Sequence, residues 1–144
     1  YRDGSAMLET GTPRIAEAIG WGAAVDWLSK IDFKEMHDHI KHLAITASNG
    51  MKEIDGIRVF SDPVRPESSG TISFLHERIT SEDMAMLLDE GGFAIRTGQH
   101  CAQPLMDALG VLSTNRISLW IYNTEEEVKS FLSHLRMICE RFGR

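Results

Sequence analysis

The stretch from Arg96 to Pro104 holds the residues of this sequence with the clearest chemical potential. It reads RTGQHCAQP, with Cys101 preceded by a histidine and, five positions earlier, by an arginine. Gly98 permits a sharp backbone turn, and Pro104 and Gly110 predict the start and end of a short helix. A cysteine on a loop just before a helix, beside cationic or donor side chains, is in a setting that favours a nucleophilic thiolate.

The alternative interpretation of Cys101 is an inert thiol, because a lone cysteine often behaves as a small buried apolar side chain. Spacing alone favours that alternative. His100 and Arg96 are the neighbours that would activate a reactive thiol at this position. A metal site at His100 and Cys101 is not expected, because no second pair of ligands stands at suitable spacing. The other cysteine, Cys139, falls on the apolar stripe of a predicted helix and is expected to pack in the core.

The composition limits the class of protein. The 144 residues are 42% hydrophobic and 25% charged, which is ordinary for one soluble domain. A net charge of -6 argues against nucleic acid or an anionic membrane as the main partner, and no apolar run resembles a membrane span or a signal peptide. Two cysteines without a CxxC pair argue against a disulfide scaffold or a zinc ribbon and are consistent with a reducing cytoplasm. Because the sequence begins with Tyr1, we expect it to be part of a longer protein.

Two helices are predicted near the start of the chain. The first is Ile15–Leu28, with Pro13 at its start and Thr12 as a candidate N-cap. This helix is apolar nearly all round, which indicates that it is covered on several sides, between this domain and another body. The second is predicted at 33–48, with Asn49-Gly50 as its end.

A small sheet and further helices are predicted after these two. The strand candidates are 57–60, 71–75, 93–96 and 116–120. A helix at 80–90 would have Thr80 as its cap. The last helix is the most clearly marked, because Thr124 and Glu127 form a capping box before a long apolar stripe. Together these elements predict an α+β fold, with helices covering one side of a small sheet.

Three segments, in order along the chain, resemble the motifs of a known enzyme family. Residues 96–104, RTGQHCAQP, are similar to the RxGHHCAxP signature of group II cysteine desulfurases, the SufS-type and selenocysteine-lyase-like branch of the class V aminotransferases. Residues 8–13, LETGTP, resemble the (F/L)E-x-GTP segment, and residues 116–124, RISLWIYNT, resemble R-x-S-x-x-x-YNT. Gln99 stands where the family usually has histidine. We expect this difference to tune the activity rather than abolish it.

The resemblance implies the fold and activity of that family. Residues 1–30 would be the end of a large pyridoxal-phosphate (PLP) domain with an interdomain helix. Residues 31–144 would be the small C-terminal domain of a fold-type I PLP enzyme, with helices on a mainly antiparallel sheet. Such enzymes convert L-cysteine, or selenocysteine, to alanine with PLP as an electron sink. The resemblance further implies a cytoplasmic homodimer that passes sulfur to an acceptor protein for iron–sulfur cluster assembly.

The resemblance also implies roles for individual residues. Cys101 matches the thiol that attacks the substrate sulfur and becomes a persulfide, while His100 and Arg96 would position and activate it. Arg116 matches the arginine that binds the substrate carboxylate, and Arg96, on the loop of Cys101, is a second candidate for substrate binding. A guanidinium suits this task because it is a rigid two-pronged donor. Without the motif, Arg116 would be interpreted as a structural arginine at a strand start.

The cofactor site is incomplete in this sequence. Thr12, with Gly11, matches the segment that reaches the PLP phosphate of the neighbouring subunit. The family's PLP lysine lies in an S-x-H-K context, which none of the five lysines here has. We therefore expect the 144-residue chain alone to be inactive. Two alternatives stay open: a non-catalytic binding or scaffold domain that has lost PLP chemistry, and a thiol redox protein. The lack of a nearby resolving cysteine disfavours the second.

Overall fold

The computed structural model describes residue 4, residues 11–65 and residues 69–143. The chain divides into two compact units, Tyr1–Phe33 and Lys34–Arg144. The first contains helix α1 (Ile15–Leu28), whose bounds agree with the sequence prediction. Its N-cap is Arg14, without a side-chain hydrogen bond, so the prediction of Thr12 as the cap is wrong. No residue of α1 is buried, and its interdomain role stays a prediction.

The second unit is a four-stranded antiparallel sheet with helices. Its strand order is β1-β2-β4-β3. In chain order its elements are α2 (Phe33–Lys52), β1 (Ile57–Val59), β2 (Thr71–His76), α3 (Ser81–Glu90), β3 (Arg96–Gly98), α4 (Gln103–Leu109), β4 (Thr114–Ser118) and α5 (Glu125–Phe142). The core combines buried side chains from one face of the sheet with those of α2, α3 and α5. None of the helices among the described residues is long and apolar enough to cross a bilayer.

The two faces of the sheet differ in character. Phe74 and Ile117 belong to the core and are 0% and 8% exposed. Because side chains alternate along a strand, Arg116 lies on the opposite face. The register pairs Arg116 directly with Arg96 of β3 on one side and with Ser73 of β2 on the other. Cross-strand partners share a face, so the sheet itself brings two predicted site arginines together.

Helix α2 runs four residues further than the sequence predicts. Asn49 and Gly50 do not end it, and the helix continues to Lys52. The reason is tertiary packing, since Met51 is fully buried and an added Cβ at Gly50 would overlap with Leu132 of α5. Glycine here permits a close contact between two helices, at the usual cost in helix propensity.

The third strand also differs from its prediction. Instead of 93–96, the strand is Arg96–Gly98. Phe93 packs edge-on against Phe131, with ring centroids 5.7 Å apart, and its ring lies 5.6 Å from that of His134. The apolar residue that suggested a strand therefore serves the contact with α5, and pairing with β4 begins only after it.

The helix caps and the core cysteine that the sequence predicts are present in the structure. The Thr80 hydroxyl accepts from the backbone N–H of Asp83 at 3.1 Å, as expected for the cap of α3. Thr124 and Glu127 form the predicted capping box of α5. Cys139 is 7% exposed and lies in the core, which confirms its packing role.

The ring of His76 contacts three parts of the second unit. Its Nδ1 accepts hydrogen bonds from the backbone N–H groups of Arg78 and Ile79, at 3.1 and 3.2 Å. The ring also lies against Gly56 and Gly143, where an added Cβ would come within 2.5 and 2.7 Å of Nε2. Burial lowers the pKa of His76 from its usual value. A protonated ring would have no lone pair for the two N–H donors.

We expect the free energy of unfolding to decrease as the pH falls below about 6.5, the usual pKa of histidine. The folded pKa of His76 lies below the unfolded one, so its stabilising contribution is complete above the unfolded value and is lost as the pH falls through the folded value. Urea unfolding at a series of pH values measures this. His76→Asn keeps an acceptor near the Nδ1 position without a titrating ring, so its stability should depend less steeply on pH. Equal slopes in both proteins would contradict the assignment.

Candidate active site

Cys101 lies in a tight left-handed turn between β3 and α4. The backbone N–H of Ala102 donates to the carbonyl of Gln99 at 2.9 Å, which closes a turn with His100 and Cys101 at its centre. Their φ angles are 56° and 58°, values that cost a residue other than glycine about 1–2 kcal/mol each. Two central positive φ angles are typical of a type I′ turn, which glycine, asparagine and aspartate dominate. A histidine and a cysteine in this conformation indicate a functional requirement.

The side chain of His100 is held by Thr114 at the start of β4. Its Nε2 lies 3.1 Å from the Thr114 carbonyl oxygen and 3.0 Å from the hydroxyl. Because a carbonyl oxygen only accepts, we assign the ring proton to Nε2 and the lone pair to Nδ1. Nδ1 is buried and has no hydrogen-bond partner in the described structure. Burial, and next the Arg116 guanidinium, lower the pKa of His100, so the ring is a neutral acceptor near pH ~7.

The thiol of Cys101 is exposed and lies beside a guanidinium. The Nη2 atom of Arg96 is 3.8 Å from the Cys101 sulfur. A guanidinium is a charged hydrogen-bond donor, which is the kind of neighbour found beside reactive thiols. The structure therefore brings together three residues that the motif singles out, Arg96, His100 and Cys101. The predicted short helix follows, with its end at Gly110 in the left-handed conformation.

Arg116 forms a cationic pair with Arg96. The two are direct cross-strand partners, an arrangement in which like charges destabilise a sheet. Within the described part of the chain, neither guanidinium forms an ion pair with a carboxylate, and the buried Nε of Arg116 has no hydrogen-bond partner. Two arginines without carboxylate partners are suited to binding the carboxylate of a ligand.

Gly11 and Thr12 lie in the first unit, just before α1. Both are exposed, and Gly11 has a φ of 85°. The Thr12 hydroxyl and the Gly11 N–H are donors of the kind that bind phosphate. They fit one phosphate contact of PLP. The preceding residues 8–10 of the same motif lie outside the described residues.

Thr114 is the site residue that the sequence analysis missed. Thr114 can be recognised only from the register of β3 and β4, in which it pairs with Gly98. That register is not known until the sheet is known. No group of three or more histidine, cysteine, aspartate or glutamate side chains among the described residues could hold a metal ion. The candidate site contains one thiol, one neutral imidazole and two guanidinium groups.

Comparison with known proteins identifies the family that this chain resembles. The family model described as aminotransferase class-V matches residues 1–131. Probable cysteine desulfurases from Staphylococcus epidermidis and Staphylococcus aureus are each 39% identical over 143 residues, which is 99% of this chain and 34% of theirs. The chain thus spans about a third of the length of these curated relatives.

Solved structures show the same fold. The cysteine desulfurase CsdA from Escherichia coli, in its S-sulfonic acid form, has a TM-score of 0.87 at 34% identity and covers 98% of this chain and 34% of its own. Apo cysteine desulfurase from Thermococcus onnurineus has a TM-score of 0.88 at 28% identity, with 97% and 35% covered. The predicted α+β fold, with helices on a small antiparallel sheet, is confirmed.

Proposed function

Because the chain belongs to the class-V aminotransferase family, we propose that it forms the sulfur-accepting part of a PLP-dependent cysteine desulfurase. The observation that carries the proposal is the exposed Cys101 thiol, held in a left-handed turn with Arg96 3.8 Å from its sulfur. The names of relatives matched along 99% of the chain support it. The RTGQHCAQP motif supports a narrower proposal, that the enzyme belongs to the SufS-type, selenocysteine-lyase-like branch.

The side chains at the site have distinct tasks in this reaction. Arg116 holds the carboxylate of L-cysteine, or of selenocysteine, and thereby orients the substrate. Cys101 attacks the substrate sulfur, so that a bond forms between the two sulfur atoms. The bond from sulfur to the substrate carbon breaks, and that carbon keeps the electron pair and takes up a proton, which gives alanine. Arg96 stabilises negative charge on the sulfur of Cys101. His100 is neutral, and its ring holds the turn that carries Cys101 through the contacts of Nε2 with Thr114. PLP, when bound, supplies the electron sink for the substrate carbon atoms.

The proposal extends to cofactor and partners. Thr12 and Gly11 would contact the PLP phosphate of the neighbouring subunit in a homodimer. The persulfide on Cys101 would be relieved by the thiol of an acceptor protein, because thiol exchange needs an accessible sulfur, and Cys101 is exposed. The sulfur would serve iron–sulfur cluster assembly. We place the enzyme in the cytoplasm, where an exposed free thiol stays reduced.

The test is a single turnover with L-cysteine. We expect the protein at its native length, loaded with PLP and freed of reductant, to form one alanine for each Cys101 that gains a sulfur atom. Mass spectrometry of the Cys101 peptide and amino-acid analysis measure the two products. Alanine without a modified Cys101 would contradict the role of this thiol. If neither product formed, the desulfurase proposal would fail, and the non-catalytic scaffold would be favoured.

A further inference from the structure

Thr114 contacts the Cys101 turn at two points. At the end of β3, Gly98 pairs with Thr114 of β4. Two residues later, the His100 ring returns to the same residue, with Nε2 3.1 Å from the Thr114 carbonyl oxygen and 3.0 Å from its hydroxyl. The segment that leads into Cys101 therefore contacts Thr114 twice, through its backbone at Gly98 and through the side chain of His100.

Thr114 is itself firmly placed. It is fully buried, on a strand that lies between β2 and β3. The hydroxyl of the preceding Ser113 lies 2.7 Å from that of Ser81, the first residue of α3. A side chain locked by packing on a regular element positions a neighbouring group better than a loop residue does.

The turn needs such a holding contact. His100 and Cys101 both have positive φ, and L-residues relax to negative φ unless the surrounding structure prevents it. A relaxed turn would reorient the Cys101 side chain and separate its sulfur from the Arg96 guanidinium, now 3.8 Å away.

We propose that Thr114 is a positioning residue, which keeps the Cys101 thiol beside Arg96 by holding His100 as the Nε2–H tautomer. This inference rests on the proposed function, in which Cys101 is the reacting thiol. The contacts that carry it involve no substrate, so they are tested without turnover.

The first test is the rate at which iodoacetamide alkylates Cys101 in the protein at its native length, followed by mass spectrometry. Thr114→Val removes the hydroxyl at nearly constant shape and should slow alkylation about threefold to tenfold, the worth of one hydrogen bond. Thr114→Ser restores the hydroxyl and should react within about twofold of the unsubstituted protein. Cys139 serves as the unreactive reference thiol within the same chain, because burial raises the pKa of its thiol to about 11. An unchanged rate in Thr114→Val, or a slow Thr114→Ser, would overturn the proposal.

A double-substitution cycle separates positioning from general loosening. Arg96→Gln removes the guanidinium beside the sulfur, so adding Thr114→Val to it should slow Cys101 alkylation little further. Residues that act through one contact show such non-additivity. Fully additive effects would mean that Thr114 acts independently of Arg96, against the proposal.

A measurement on the unsubstituted protein does not depend on the folding of any variant. Nitrogen-15 shifts of the His100 ring should show a protonated Nε2 and an unprotonated Nδ1 near pH ~7.5. The opposite tautomer, or a doubly protonated ring, would overturn the proposal. Failure of the proposed function would appear elsewhere, as a lack of Cys101 persulfide after addition of L-cysteine, while the alkylation rates kept their pattern.

Discussion

Replacing Cys101 with alanine should abolish persulfide formation and slow the production of alanine from L-cysteine by about a hundredfold or more. The expected loss is large because the acceptor of the substrate sulfur is removed, and residues that act as one catalytic unit fail together when the nucleophile is lost. The measurement is steady-state alanine production by the protein at its native length, with PLP and a thiol reductant present.

Cys139 offers a matched control within the same chain. It is a free thiol like Cys101, but it is buried on the core side of α5, so it cannot meet a substrate. Cys139→Ala should keep turnover within about twofold, at a modest cost in stability for the lost core atoms. Cys101→Ala with nearly normal turnover would show that another group accepts the sulfur.

Elements whose ends are set by local chemistry could be predicted from the sequence. The cap at Thr80 and the capping box at Thr124 act within four residues, and both lie where the sequence predicts them. The errors arise where distant residues decide. The end of α2 depends on the contact of Gly50 with Leu132, and the start of β3 depends on the packing of Phe93 against α5. Neither contact is encoded in its own segment, so tertiary packing overrides local propensity.

The candidate site, too, could be predicted from the sequence only in part. The types of residue at positions 96, 100, 101 and 116 stand in the motifs, and the sheet register brings the two arginines together. The geometry of the thiol could not be predicted, because positive φ is uncommon for residues other than glycine, and here it occurs at two successive ones, His100 and Cys101. The anchor at Thr114 likewise depends on strand register. Thr12 is not the helix cap, and its role at PLP stays a prediction.

Arg116→Gln should raise the KM for L-cysteine by about tenfold to a hundredfold, the worth of a charge-assisted hydrogen bond to the substrate carboxylate. Arg116→Lys keeps the charge and loses the two-pronged geometry, so a smaller increase is expected. Arg96→Gln is the positional control on the neighbouring strand. Because Arg96 lies beside the Cys101 sulfur, its loss should lower kcat more than it raises KM.

The same substitution has a second consequence that separates substrate binding from electrostatics. After burial, the Arg116 guanidinium is the largest cause of the lowered pKa of His100. Removing the charge should raise the pKa of His100, so that the ring becomes protonated at a higher pH. The acid limb of kcat/KM, which reports the ionisation of the free enzyme, should therefore move to higher pH. Arg116→Lys retains the charge and should retain the acid limb of the original pH profile. If Arg116→Gln shifted the acid limb but left KM unchanged, Arg116 would be an electrostatic neighbour of His100, and the carboxylate site would have to lie elsewhere.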